Sequence, residues 1–267
     1  MTMTNTVSLQ DVQAVYSGAE GALWELIMGE QIHVGGMTSS VDLATRAGIA
    51  PGMAGVDLCC CTGAGMRFLV RFRNVSRMHG VDATPAMLEL GRQRCREEGL
   101  ADCISFVEAD VCATGLPGGA FDFVWGEDAW CYVEHKDRLI AEAARLTRPQ
   151  GIIAFTDWME GSKPMTDAEA ARCLGFMKFP SLLTLADYAD LLQARGCAVR
   201  EASDTGRFAA YMPLYLDMLE KQLTYDALKI IGFDTALAEG LLTEMHFLKA
   251  LADAGKIIQG LVVAQKP

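Results

Sequence analysis

The sequence predicts an α/β protein with a doubly wound, mainly parallel sheet. Strand-sized apolar runs alternate with helix-length amphipathic segments, and an acid stands at or just after the end of each of the first three runs. No repeat, low-complexity tract or Pro/Gly/Ser linker divides the 267 residues, so one domain is expected. Strands separated by helices require right-handed crossovers, which place helices on both faces of the sheet. Ligands of such folds bind beyond the carboxyl ends of the strands, so function is sought in the residues just after each strand.

Ala54 to Leu58 is the first apolar run and ends in a turn of small residues, after which Gly63 to Phe72 reads as a helix. Arg77 to Val81 is a second strand. Thr84 and Pro85 then supply an N-cap and a first helical position for a helix over Pro85 to Glu98. Cys103 to Glu108, Phe121 to Trp125 and Gly151 to Thr156 give three more strands, with an amphipathic helix, Arg138 to Leu146, between the last two. Arg148, Pro149 and Gly151 stop that helix. Residues 1–50 and 206–255 lie outside the alternation and look helical, the second stretch preceding a last strand at Ile257 to Ala264. Both are candidate lids over the alternating core at 51–160.

Composition excludes several classes. Apolar residues make up 51% and charged residues 21%, enough to bury a core and too apolar for a disordered chain. The apolar stretches are strand-sized, short of the roughly 20 residues a membrane helix needs. A net charge of -11 disfavours nucleic acid and anionic membranes as partners. Met1 to Gln10 lacks the basic start and apolar core of a secretory signal, so a cytoplasmic location is expected. The nine cysteines are odd in number, three are adjacent, and none shows the C-x-x-C spacing of a zinc site. They read as reduced thiols that fill core volume, with no metal expected; the partner is a small molecule, and a homodimer stays open.

The strongest motif is Val56-Asp57-Leu58-Cys59-Cys60-Cys61-Thr62-Gly63-Ala64-Gly65, an acid near the strand end followed by a tight turn that presents backbone amides at a helix N-terminus. Gly80-Val81-Asp82 ends the second strand with a carboxylate suited to the two hydroxyls of a ribose, and Asp110 follows the third in Glu108-Ala109-Asp110-Val111. The G-x-G-x-x-G spacing of a nicotinamide dinucleotide site is absent. This order resembles the class I S-adenosylmethionine-dependent methyltransferases, whose first motif is D-x-G-x-G-x-G, over residues 50–160. The resemblance implies a Rossmann-like, seven-stranded sheet and S-adenosylmethionine as cofactor. It places Asp57, Cys59, Cys61 and Gly63 at the motif that holds the methionine end. Asp82 falls at the ribose, Asp110 and Val111 near the adenine amine, Ala83 and Met87 beside the adenine, and Glu127 in the same cofactor set. Cys59 and Cys61 replace the first two glycines of the motif. Cysteine is tolerable at the first of these positions provided the backbone is not at positive φ, and the Cys61 thiol would narrow the pocket.

Further segments narrow the likeness. Trp24-Glu25-Leu26-Ile27-Met28-Gly29-Glu30-Gln31-Ile32-His33-Val34-Gly35 is similar to the W-G-x-x-I-H-x-G segment of the sarcosine and dimethylglycine N-methyltransferases and related small-molecule enzymes. Trp125-Gly126-Glu127-Asp128-Ala129-Trp130, Phe155-Thr156-Asp157-Trp158-Met159, and Ser203-Asp204-Thr205-Gly206-Arg207 with Tyr211 and Tyr215 are similar to other segments of that group. The likeness implies substrate positions for Trp24, His33, Trp130, Asp157, Arg207 and Tyr211. Asp128, Tyr132 and Tyr16 form the expected catalytic cluster, orienting an amine and helping to take its proton. Aromatic faces suit a methylated cation, and Arg207 suits the carboxylate of a glycine derivative.

The chain departs from the phosphoethanolamine methyltransferases at Tyr132, where they carry a histidine, and His135 lies at a different phase. Structural readings compete: Asp128 as an N-cap, Trp130 and Tyr132 as core, His33 as a pin for a lid loop, Asp157 as a strand end, Arg207 in a salt bridge. The expected reaction is methyl transfer to the amine nitrogen of a glycine derivative such as sarcosine or dimethylglycine. O- or C-methylation of a secondary metabolite or sugar, and cofactor binding without methyl transfer, stay open.

Overall fold

The computed structural model describes residues 7–267. Three helices lead in: α1 (Leu9–Tyr16), α2 (Ala19–Met28) and α3 (Gly36–Arg46). The alternating core follows as β1 (Ala54–Leu58), α4 (Ala64–Arg73), β2 (Arg77–Asp82), α5 (Pro85–Glu97), β3 (Ile104–Glu108), β4 (Phe121–Glu127), α6 (Lys136–Leu146) and β5 (Thr147–Glu160). α7 (Asp167–Met177), α8 (Leu185–Ala194) and β6 (Ala198–Asp204) come next. α9 (Arg207–Asp217), a π-helical turn (Met218–Gln222), α10 (Thr224–Ile230), α11 (Thr235–Asp253) and β7 (Ile257–Gln265) complete the chain.

The strands form one seven-stranded sheet in the order β3-β2-β1-β4-β5-β7-β6. β1 to β5 pair in parallel, and β7 inserts antiparallel between β5 and β6. The direction of winding reverses between β1 and β4, which opens a crevice at their carboxyl ends. Two apolar layers hold the sheet. On one face Leu139, Ile140 and Ala143 of α6 and Tyr188 and Leu192 of α8 pack on Val56, Val124, Ile153 and Val262. On the other, Leu43 of α3, Met66 and Leu69 of α4 and Leu88 of α5 pack on Met78, Phe123, Trp125 and Leu261. Each fully buried side chain of this size is worth about 1.5–3 kcal/mol of transfer free energy. A third cluster joins Trp24 and Ile27 of α2 to Leu174 of α7, Phe208 and Met212 of α9 and Met245 and Leu248 of α11. It binds the two segments outside the alternation to each other.

The expected strands and crossover helices are present, with shifts at their ends. β5 begins at Thr147 and runs to Glu160, well beyond Gly151 to Thr156, because β7 pairs with it residue by residue from Gln265 to Ile257. β6 escaped the apolar-run criterion because it is a sheet edge whose residues alternate between exposed and half-buried. α7 and α8 escaped it too, yet each opens with a capping box, Thr166 with Glu169 and Thr184 with Asp187. Thr84 does occupy the N-cap of α5, but its side chain makes no cap; its amide donates instead to Asp82 Oδ1 at 2.9 Å. The segments 1–50 and 206–255 are helical where described, and Met1 to Thr6 lie outside the described residues. No helix among the described residues is long and apolar enough to cross a membrane.

Candidate active site

A cavity of about 280 Å³ lies at the carboxyl ends of β1 to β4, walled by α1 and by the loop that joins α2 to α3. Its floor is the turn after β1. Cys59 (φ 65°), Cys61 (φ 48°) and Gly63 (φ 72°) all adopt the left-handed conformation. The condition for an unstrained cysteine at position 59, a backbone away from positive φ, is therefore not met: the turn keeps its left-handed positions with cysteine at two of them. A non-glycine residue there costs roughly 1–2 kcal/mol. Hydrogen bonds from the amides of Cys59 and Cys60 to Val81 O (2.9 and 3.1 Å) and from Gly63 to Cys60 O (2.7 Å) oppose that cost. Burial raises the pKa of all three thiols, which keeps them protonated and poor nucleophiles.

Asp82, at the end of β2, has both carboxylate oxygens anchored. The Cys61 amide donates to Oδ2 and the Thr84 amide to Oδ1, each at 2.9 Å. Beyond the turn, α4 starts so close to β4 that a Cβ on Gly65 would lie 2.6 Å from Glu127 Oε2. Glu127 accepts from the Ser40 hydroxyl (2.7 Å) and the Trp125 indole (3.0 Å). Asp57 faces the same space; burial, with Glu127 and Asp82 close by, pushes its pKa well above the usual carboxylate value. Ala83, Met87, Asp110 and Val111 line the cavity on the β2 and β3 side. Gly63 does not line it. A Cβ there would strike Met66 and Phe106, so its role is to turn the chain.

The opposite end carries the expected catalytic cluster. Tyr16 and Tyr132 meet edge to face with centroids 5.5 Å apart, and Tyr132 rests on Phe179 at 4.9 Å. Burial raises the pKa of both hydroxyls, so they are protonated hydrogen-bond donors at neutral pH. Asp128 also lines the cavity. It is left-handed (φ 52°) and is not an N-cap: the 3-10 turn at Trp130–Tyr132 is capped by Ala129. Its Oδ2 accepts from the Val34 amide at 2.9 Å, and Gln259 Nε2 lies 3.0 and 2.8 Å from its two oxygens. Gln259 Nε2 also meets Val34 O at 2.9 Å, so both polar groups of Val34 are clasped. His33 lines the floor, with Nδ1 2.8 Å from Gln31 O and Nε2 2.9 Å from Gly36 O.

Five of the expected substrate residues lie away from the cavity, which corrects their placement. Trp130 is fully buried under the sheet end, donating to Leu58 O at 3.1 Å and stacking on Phe155 at 4.1 Å. Asp157 is fully buried behind it and accepts from the Tyr188 hydroxyl (2.6 Å) and the Cys131 amide (3.0 Å). Burial lifts its pKa to about 7. Arg207 is paired with Asp42 at 2.5 Å and reaches Gln259 Oε1 at 3.3 Å. Tyr211 packs beside Tyr215 in the helical cluster, and Trp24 borders a separate apolar hollow of about 80 Å³ shared with α10 and α11.

The wall is tied down at several points. Gln13 Nε2 donates to Ala83 O at 2.6 Å, the Gly35 amide donates to the Tyr215 hydroxyl at 2.9 Å, and Glu25 and Glu30 pair with Arg94 and Arg67. Sequence reasoning missed Gln259 and Ser40 and set His135 out of phase, although His135 lines the cavity. The signal for Gln259 was present: it is a lone polar residue inside the apolar strand Ile257–Gln265 and is completely buried. Buried polar groups of this kind have partners, and those partners are usually worth finding.

Residues 56–155 match the sequence family described as "Methyltransferase domain". The match covers 100 of the chain's 267 residues, from β1 into β5. Among curated proteins it is similar to the sterol 24-C-methyltransferase of Eremothecium gossypii, 30% identical over 117 residues that cover 44% of this chain and 31% of that protein. Among solved structures it is similar to a Galdieria sulphuraria protein assigned as a sarcosine dimethylglycine methyltransferase, at 20% identity, TM-score 0.77 and 86% coverage of both chains. It is also similar to phosphoethanolamine N-methyltransferase 2 of Haemonchus contortus, at 19% identity and TM-score 0.86, covering 98% of this chain and 61% of that one. At such identities the structural likeness shows the fold. The chain spans 46%, 31% and 59% of the length of the first curated relatives it matches.

The residues of this cavity fit S-adenosylmethionine, the cofactor that the sequence resemblance implies. The ligand brings a ribose diol, an ammonium and a sulfonium. The cavity brings an anchored carboxylate at Asp82 and further carboxylates at Asp57, Asp110, Glu127 and Asp128, and no lysine or arginine among its described lining residues.

Proposed function

We propose that the chain transfers the methyl group of S-adenosylmethionine to a small molecule held between Tyr16, Tyr132 and Asp128. One observation carries this reading: a single cavity runs from Asp82 and the cysteine turn to the two tyrosines. In this reading Asp82 accepts hydrogen bonds from the ribose, and Asp57, Cys59, Cys61 and Glu127 surround the methionine end. Ala83, Met87, Asp110 and Val111 border the adenine. When bound, S-adenosylmethionine supplies a methyl on a sulfonium sulfur, and displacement there needs chiefly alignment and exclusion of water. α1 and the α2–α3 loop exclude water. The Tyr16 and Tyr132 hydroxyls orient the acceptor as donors, and the Asp128 carboxylate stabilises the positive charge that grows on a methylated nitrogen.

The amine nitrogen remains the favoured acceptor atom because the lining is acidic. A free carboxylate on the acceptor is disfavoured, since Arg207, its expected partner, is occupied by Asp42 outside the cavity. The acceptor is thus an amine without an anionic group. O-methylation is the second reading, favoured by the apolar wall of Val7, Leu9, Val12, Ile32 and Val133 beside the tyrosines. A screen with methyl-labelled cofactor against paired sets of amines, amino acids and alcohols tests both. Label transfer to amines and not to amino acids supports the first reading, and transfer to alcohols alone supports the second. Binding of S-adenosylhomocysteine with no transfer to any acceptor supports cofactor binding without methyl transfer.

A further inference from the structure

Four hydrogen-bond acceptors surround the His33 ring and, among the described residues, no donor committed to it does. Nδ1 lies 2.8 Å from the carbonyl of Gln31. Nε2 lies 2.9 Å from the carbonyl of Gly36, 3.2 Å from Ser40 Oγ and 3.4 Å from Glu127 Oε1. Carbonyls and carboxylates only accept, and the Ser40 proton is committed to Glu127 Oε1 at 2.7 Å, so Ser40 too can only accept from the ring. Each ring nitrogen therefore meets its partners only as an N–H. A neutral imidazole has one N–H and would leave its bare nitrogen facing a carbonyl oxygen in a site that is 2% exposed.

We propose that His33 is held as an imidazolium and positions the side chains of Glu127 and Asp128 on the cavity floor. The charged groups facing it are Glu127 and Asp128 at the end of β4, with the Ser40 hydroxyl on α3; Asp57 on β1 stands behind Glu127, and Arg207 and Asp42 neutralise each other beside Gly35. Burial opposes the charge, but Glu127, Asp128 and the two carbonyls together raise the His33 pKa. Burial likewise raises the pKa of Asp128, and His33 is the leading group that draws it back. His33 is thus a positioning residue: it has no free nitrogen for an acceptor, and its effect on a ligand passes through the two carboxylates. The protonation state stands on geometry alone, whereas the effect on cofactor binding rests on the function proposed above.

Two measurements test this. In protein labelled with nitrogen-15 at histidine, single replacement of His79, His135 and His246 assigns the four ring systems. Spectra from about pH 6 to about pH 8.5, a range in which an ordinary histidine loses its proton, are expected to show both His33 nitrogens protonated at neutral pH. An unprotonated His33 nitrogen near neutral pH overturns the proposal, and this arm uses the wild-type ring. In the second arm calorimetry follows S-adenosylhomocysteine binding to wild type and to His33→Gln over the same range. The wild-type Kd is expected to vary less, and the variant Kd to rise about tenfold toward the acid end as Asp128, without its charged neighbour, takes up a proton more readily. A variant whose affinity tracks wild type at every pH overturns the positioning role. Failure of wild type to bind the ligand overturns the proposed function and the positioning role with it, while the labelled-ring arm still decides the charge of His33.

Discussion

The amide of Cys61 donates a 2.9 Å hydrogen bond to Oδ2 of Asp82, joining the turn after β1 to the end of β2. One of the two residues that depart from the glycine motif thus helps to fix the carboxylate proposed to hold the ribose. The bond is made within a turn whose backbone is left-handed, and Cys61 adopts that conformation at φ 48°. A side chain at this position is tested most simply by changing its branching. Cys61→Gly should match or exceed wild type in thermal unfolding, because glycine meets positive φ without steric cost. Cys61→Val should lose about 1–2 kcal/mol, since a β-branched residue is strained there. Equal midpoints for the valine and glycine variants would mean that the turn relaxes at no cost.

Asp128 holds the α2–α3 loop as well as facing the cavity, so its removal should not be a pure loss of turnover. Asp128→Ala leaves the Val34 amide, Gln259 and a charged His33 without their partner, a loss on the order of 3 kcal/mol. Urea denaturation and cofactor affinity should both report it. Full stability with reduced turnover would return Asp128 to a purely catalytic role.

Asp157 predicts a pH dependence of stability. Its folded pKa of about 7 lies above the unfolded carboxylate value near 3.8, so between these two the folded state binds more protons than the unfolded one. Stability from this group is therefore full below the unfolded pKa and declines as pH rises toward 7, where the buried group becomes charged. Asp157→Asn keeps an acceptor for Tyr188 and removes the charge, so its stability relative to wild type should increase from pH 4 to pH 7. Parallel curves for the two proteins in urea denaturation would contradict the burial argument.

Arg207 and Asp42 form a partly buried pair outside the cavity. Arg207→Met should lower the unfolding free energy by about 1 kcal/mol and leave S-adenosylhomocysteine affinity unchanged. A selective rise in KM for carboxylate-bearing acceptors would instead restore Arg207 as a substrate clamp.

The sheet was legible because parallel strands buried on both faces read as apolar runs, and the cofactor end was legible because its acids stand at strand ends. Asp57, Asp82 and Asp110 needed only the order of strands to be brought together. The acceptor end was not legible in the same way. Trp130, Asp157 and Arg207 sit in segments that resemble those of small-molecule methyltransferases, but Arg207 opens α9 and is taken by Asp42, and whether Trp130 and Asp157 face the cavity or lie behind it is set at one turn after β4. There Asp157 bonds the Cys131 amide and Trp130 turns under Leu58. β6 was hidden by its polar alternation at a sheet edge. Gln259 reaches Asp128 across 131 positions of sequence, a contact that local pattern cannot show.

The central claim is that Asp82 anchors S-adenosylmethionine in this cavity, and titration calorimetry with S-adenosylhomocysteine tests it most directly. Asp82→Ala removes the anchored carboxylate, and binding should weaken by about 1–3 kcal/mol, roughly 5- to 100-fold in Kd, with the far-ultraviolet spectrum unchanged. A folded Asp82→Ala protein that binds with wild-type affinity would contradict the account.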